Sequence, residues 1–107
     1  VYSQAVEDYL KAIYKLQQRW QIVTTSSLAE RMGVSQASAT SMVKKLAAMR
    51  LVDYRPYKGI RLTTKGQRAA LEVIRHHRLM ELYLAEALGL GWDEVDREAD
   101  RLEHALS

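Results

Sequence analysis

The chain has 107 residues, 48% of them hydrophobic, which sets one domain, or a small domain with an appendage, around a core of limited size. It has no cysteine, so disulfides and thiolate metal sites are excluded and a reducing cytoplasm is the expected setting. No apolar run approaches the roughly 18 residues of a membrane span and no signal peptide is visible, which excludes a membrane partner from the expected set.

The formal net charge of +3 is unevenly spread. From Lys44 to Arg68 the basic residues Lys44, Lys45, Arg50, Arg55, Lys58, Arg61, Lys65 and Arg68 face one acid, Asp53. From Trp92 to Ser107 the acids Asp93, Glu94, Asp96, Glu98, Asp100 and Glu103 face Arg97 and Arg101. A basic middle suits a polyanion, and an acidic end with a histidine suits a cation; two solvated helix faces of opposite sign are the alternative.

Taken in chain order, residues 3–18 predict a helix, with Ser3 as cap and Val6, Tyr9, Leu10, Ile13 and Leu16 at helical spacing. A short β-prone stretch, Ile22 to Thr25, follows. A second helix is expected from Ser26 or Ser27, where Ser27 and Glu30 have capping-box spacing, and Gly33 ends it. Ser35 caps a third helix to about Met49, with Ala39, Met42, Val43, Leu46 and Met49 inward. Helix, tight glycine turn, helix is the helix-turn-helix layout. Two short strands around the turn Pro56 to Gly59 then predict a hairpin, and Arg55, Lys58 and Arg61 make it a DNA-binding wing. Thr64 and Gln67 form another capping-box pattern, opening a long helix to about Leu88; Gly89-Leu90-Gly91 breaks it, and a last helix runs from Asp93. The expected fold is mainly α: a winged helix-turn-helix with a two-strand wing over residues 1–64, then a helical metal-binding and dimerisation segment over residues 65–107.

A helix fits the major groove of DNA and reads base edges with side chains near its N-terminus. Those here are Ser35, Gln36, Ala37, Ser38, Thr40 and Ser41: Gln36 matches the two-bond pattern of adenine, and Ala37 and the Thr40 methyl suit a thymine methyl. Lys44, Arg55, Lys58 and Arg61 would neutralise phosphates, which supplies affinity without sequence information. Capping and solubility alone would also explain the Ser and Thr residues.

His77 and Glu81 lie four apart on the long helix, and Asp96, Asp100, Glu103 and His104 share one side of the last. Carboxylate and His at such helical spacing is how bundle metal sites are built. On spacing alone the acidic helix reads equally as a cation site or as a solvated helix laced with salt bridges.

With these elements in order, the chain resembles the diphtheria toxin repressor family of iron- and manganese-dependent regulators, in particular its manganese transport regulator branch. VEDYLKAIYKL, LAERMGVSQASATSMVKKL, LVDYRPYKGIRLTTKG, RHHRLMELYLAEALGL and READRLEHALS carry the likeness, which covers essentially the whole chain. The resemblance implies a homodimer that binds operator DNA when metal-loaded and represses metal-uptake genes. It implies a primary site of Asp8, Asp100, Glu103 and His104, and a second of His77, Glu81 and Asp96. Lys11 stands where some manganese-type members have an acid, which argues against a binuclear site using that position. An oxygen-rich set with one or two imidazoles suits Mn²⁺ first and Fe²⁺ second, with Zn²⁺, Co²⁺ or Cd²⁺ able to occupy it in vitro. Leu84, Leu88, Leu90, Trp92, Val95 and Leu102 are the candidate dimer contacts, some of them serving as core instead. The alternative is a winged-helix regulator whose effector is not a metal. No organic substrate is expected, and the sequence has no HExxH and no Gly-rich phosphate loop, so it does not read as an enzyme.

Overall fold

The computed structural model describes residues 2–89 and 91–106, without the side chains of Leu88, Trp92, Asp93, His104 and Leu106. Its elements are α1 (Gln4–Arg19), α2 (Thr25–Met32), α3 (Gln36–Ala48), β1 (Val52–Arg55), β2 (Gly59–Leu62), α4 (Thr64–Leu88) and α5 (Trp92–Leu106). They form two compact units, residues 2–70 and residues 71 onward, and α4 contributes to both.

The first unit is a winged helix-turn-helix. Leu10, Ile13, Leu28, Val43, Leu46, Leu51 and Ile60 fill its core, the one apolar face of each helix meeting the inner face of the hairpin. The strands pair antiparallel with Val52 opposite Leu62 and Tyr54 opposite Ile60. That register turns Val52, Ile60 and Leu62 inward and leaves Asp53, Arg55 and Arg61 exposed on the other side. The Leu62 N–H, at the edge of the hairpin, donates to Gln17 Oε1 of α1 at 2.7 Å, so a helix side chain completes the ladder.

The caps differ in register from the sequence patterns. Thr24, not Ser27, begins α2: its Oγ1 accepts from Ser27 N–H at 3.0 Å, while Ser27 Oγ accepts from Thr24 N–H at 3.2 Å. A serine therefore does at the third position what the pattern assigned to Glu30, which is exposed. Because α2 starts at Thr25, the β-prone stretch shrinks to one bridge, Val23 to Ile60. At α4 the capping hydroxyl is Thr63, which accepts from Gly66 N–H at 3.0 Å and donates to the Arg50 carbonyl at 2.7 Å. Met42 and Met49, expected inside, are half-buried at the margin of the core.

In the second unit Leu84, Val95 and Ala99 are buried, with Met80, Ala85 and Leu102 packed against them. Leu84 and Val95 are thus the ones that serve as core of their own unit, and Leu102 is half-buried at its margin. The large apolar residues that α4 leaves exposed, among the described ones, are Leu79, Leu82 and Tyr83, on one face by their spacing. Leu90 and the side chains of Leu88 and Trp92 lie outside the described residues.

The Thr63 knot depends on a bare backbone at Gly66, where an added Cβ would stand 1.9 Å from the Leu51 carbonyl oxygen. Neither backbone can yield cheaply, because Leu51 O also accepts from Thr63 N–H at 3.0 Å. Gly66→Ala should cost about 3 kcal/mol in denaturant unfolding. Gly91→Ala, with nothing within 4 Å of its Cβ, should stay within about 0.5 kcal/mol of the wild type.

Candidate metal centre and DNA-reading surface

On the second unit, four carboxylates converge on one imidazole. His77 Nε2 lies 2.7 Å from Asp96 Oδ1 and 3.7 Å from Glu81 Oε1. His77 Nδ1 lies 3.1 Å from Asp100 Oδ1 and 3.4 Å from Glu103 Oε2. The spacing explains the convergence: Glu81 is one turn on from His77 along α4, and Asp96, Asp100 and Glu103 succeed one another along one face of α5. Val95 and Ala99, on the face beside them, pack against Leu84 and so hold α5 against α4.

Burial grades the cluster. The side chains of His77, Glu81 and Glu103 are 12%, 14% and 9% exposed, whereas Asp100 is 37% and Asp96 63% exposed. Two carboxylates held in a nearly closed site repel by about 4 kcal/mol at 4 Å separation and an effective dielectric of about 20. Arg78 faces Glu81 only at 3.9 Å and is 69% exposed, a geometry that offsets little. Buried charge of one sign is stable only when paired or bound to a metal.

The donor set fits a divalent cation. His77, Asp100 and Glu103 bring their ligand atoms within 4.8 Å of one another, and so do His77, Glu81 and Asp96. His77 Nδ1 is buried and faces Asp100 Oδ1 and Glu103 Oε2 without a well-formed hydrogen bond, so a cation could take the place between them. The sequence divided these residues between two sites; in the fold His77 stands at the meeting of both. Of the expected primary set, Asp100 and Glu103 come together here, Asp8 is a half-buried residue of α1 in the first unit, and the His104 side chain lies outside the described residues.

On the first unit, the leading end of α3 is a polar surface. Gln36, Ala37, Ser38, Ser41, Lys44 and Lys45 are exposed, Thr40 is half-buried, and Ala39, Val43 and Leu46 anchor the opposite face. Ser35 is chiefly a cap: its Oγ accepts from Ser38 N–H at 3.1 Å and donates to Ser38 Oγ at 3.0 Å. Gln36 Nε2 donates to Thr25 Oγ1 of α2 at 3.4 Å, a partner that the sequence pattern did not disclose. Tyr9 joins Ala37, Ser38, Ser41, Met42 and Lys45 around a groove of about 490 Å³. Arg55, Lys58 and Arg61 are exposed on the wing, Arg61 opposite Asp53 across the strands.

A winged helix-turn-helix followed by a helix pair defines a DNA-binding protein, here with a carboxylate-histidine cluster that could hold a cation. Residues 2–60 match the N-terminal DNA-binding domain of the iron-dependent repressors, and residues 63–107 match their metal-binding and dimerisation domain. The chain belongs to the iron-dependent repressor family.

It is 39% identical over 106 residues to an uncharacterised helix-turn-helix-type transcriptional regulator of Methanocaldococcus jannaschii, covering 98% of this chain and 85% of that protein. It is 33% identical over 103 residues to the transcriptional regulator MntR of Oceanobacillus iheyensis, covering 96% of this chain and 69% of the relative. Among solved structures, a manganese-dependent transcriptional repressor in complex with manganese superposes with a TM-score of 0.82 at 47% identity. That match covers 95% of this chain and 47% of the repressor, so the chain spans about half the length of that structure.

If repulsion within the cluster is what a cation relieves, Glu103→Gln should have two opposite effects. The metal-free protein should melt a few degrees higher than the wild type, and most of the rise in melting temperature caused by Mn²⁺ should vanish. Differential scanning fluorimetry with and without EDTA reads both.

Proposed function

We propose that the chain is a cation-dependent transcriptional repressor that binds operator DNA as a homodimer, with Mn²⁺ as the first-choice ion and Fe²⁺ as the second. The observation that carries the reading is the ring of four carboxylates around His77, on the chain that also carries a polar recognition helix and a basic wing. Oxygen donors with one imidazole among the described ligands favour hard divalent ions, and manganese suits such a set better than softer metals do. DNA, a second copy of the chain and a cytoplasmic setting go together in this reading. Among the described residues, no helix is long and apolar enough to cross a membrane.

A bound ion supplies a fixed positive charge that oxygen and imidazole donors can share. His77 and Glu81 would hold it from α4, and Asp96, Asp100 and Glu103 from α5. Asp8 and His104 enter the proposed ligand set through the family resemblance alone. With the carboxylate repulsion relieved, α4 and α5 are pinned to one packing, and the range of arrangements open to the dimer narrows. Leu79, Leu82 and Tyr83, exposed within the segment that matches the dimerisation domain, are the proposed contacts with the second copy. Two recognition helices held at a fixed separation then meet half-sites one helical turn apart. Gln36, kept in place by Thr25, would read an adenine edge; Lys44, Arg55, Lys58 and Arg61 would hold phosphates.

Fluorescence anisotropy on promoter DNA from the gene neighbourhood tests the reading at fixed ionic strength. Binding should be weak in EDTA and at least about tenfold tighter in Mn²⁺, the range of ordinary coupling between two sites. His77→Ala should abolish the difference. Equal binding in EDTA and in Mn²⁺ would leave a DNA-binding protein whose acidic helix is only scaffold.

A further inference from the structure

The tip of the wing breaks a local rule. Lys58 N–H donates to the Arg55 carbonyl at 3.0 Å, closing a four-residue turn with Pro56 and Tyr57 at its centre. Tyr57 has φ +70°, in the left-handed region. Proline followed by a positive φ is the type II arrangement, and its third position is where Gly or Asn normally stands. A bulky side chain there costs about 1 kcal/mol, and such strain concentrates at functional sites.

Among the described residues nothing offsets that cost, because Tyr57 is fully exposed at 105% of its reference area. Its surroundings are those of a polyanion site. Tyr57 borders a cleft of about 550 Å³ on the outward side of the hairpin, lined by Gln21, Ile22, Arg55, Lys58 and Arg61, with Asp53 the one acid. The floor of the cleft is fixed: Ile60 N–H donates to the Val23 carbonyl at 2.8 Å, and Ile22 packs over Gly59 so closely that an added Cβ would stand 2.6 Å from it. The wing is therefore a braced arm that holds an aromatic ring away from the protein, between two cations.

We propose that Tyr57 is a DNA-contacting residue that enters the minor groove beside the site occupied by α3, an inference that rests on the DNA-binding reading above. A groove about 6 Å wide admits a flat ring edge-on, and its floor presents acceptors, adenine N3 and thymine O2, to a phenol hydroxyl. Arg55 and Lys58, at the two corners of the turn, suit the phosphate rows on either side. Tyrosine combines this apolar body with a polar tip; glycine, which the turn prefers, offers neither.

The test separates strain from contact. In the Mn²⁺-loaded protein, Tyr57→Gly should melt no lower than the wild type and leave Mn²⁺ affinity unchanged. On a DNA that the wild type binds, it should bind about tenfold more weakly. The dependence of affinity on salt should stay the same, since no charge is lost, whereas Lys58→Ala should flatten it. Tyr57→Asn, also tolerant of the left-handed region, should behave as Tyr57→Gly does. Replacing adenines beside the α3 site by 2,6-diaminopurine adds an amine to the minor groove only; this should weaken the wild type and leave Tyr57→Gly unaffected. Equal DNA affinity of Tyr57→Gly and wild type overturns the inference, and equal sensitivity of both to the added amine overturns the minor-groove placement. Wild type that binds no DNA with Mn²⁺ overturns the underlying reading as well.

Discussion

Repulsion among the side chains of Glu81, Asp96, Asp100 and Glu103 is the constraint on which the C-terminal part of this protein turns. All four reach the nitrogens of His77, and three of the five side chains are at least 86% buried. Helix packing by Leu84, Val95 and Ala99 is what forces the groups together, so the apolar contact and the electrostatic penalty belong to one piece of structure. The polar face of this small core therefore gathers four carboxylates around a single imidazole. A cation changes the sign of that interaction, which is why occupancy is expected to alter the packing of α4 and α5 as well as fill a site.

The N-terminal unit shows the opposite condition, in which backbone and side-chain groups already complete one another. Thr63 at once caps α4 and holds the Arg50 carbonyl, and Gly66 lets the first turn of α4 close over Leu51. Gln17 completes the edge of the wing from α1. Recognition helix and wing are thereby braced without any ligand. The element that biases activity is then expected in the second unit, where charge is unbalanced, and the reading surface is expected to be moved as a rigid piece.

Much of this was legible in the residues. Periodicity located the first, third and fourth helices, because one-sided burial imposes a period of 3.6 on the pattern; cap and glycine signals located the second and last, and the Pro-Gly turn the wing. Caps were less legible: several hydroxyls stand near each helix start, and only the backbone path decides between Thr24 and Ser27, or Thr63 and Thr64. For the site, spacing along each helix grouped His77 with Glu81, and Asp96 with Asp100 and Glu103. It could not tell that His77 stands between both groups, since that depends on how two helices pack. Leu84 and Val95 were ambiguous for the same reason, apolar residues on a helix serving a core or an interface equally well. Tyr57 went unnoticed because its signal is a conformation, a positive φ at a residue that disfavours it, and a string of residues carries no φ.

The most direct test of the central claim is anomalous diffraction at the manganese edge from crystals of the protein grown with Mn²⁺. The account predicts a peak within coordination distance of His77 or of its carboxylate neighbours Glu81, Asp96, Asp100 and Glu103. No peak among these residues, in crystals with ion bound elsewhere or not at all, would contradict it.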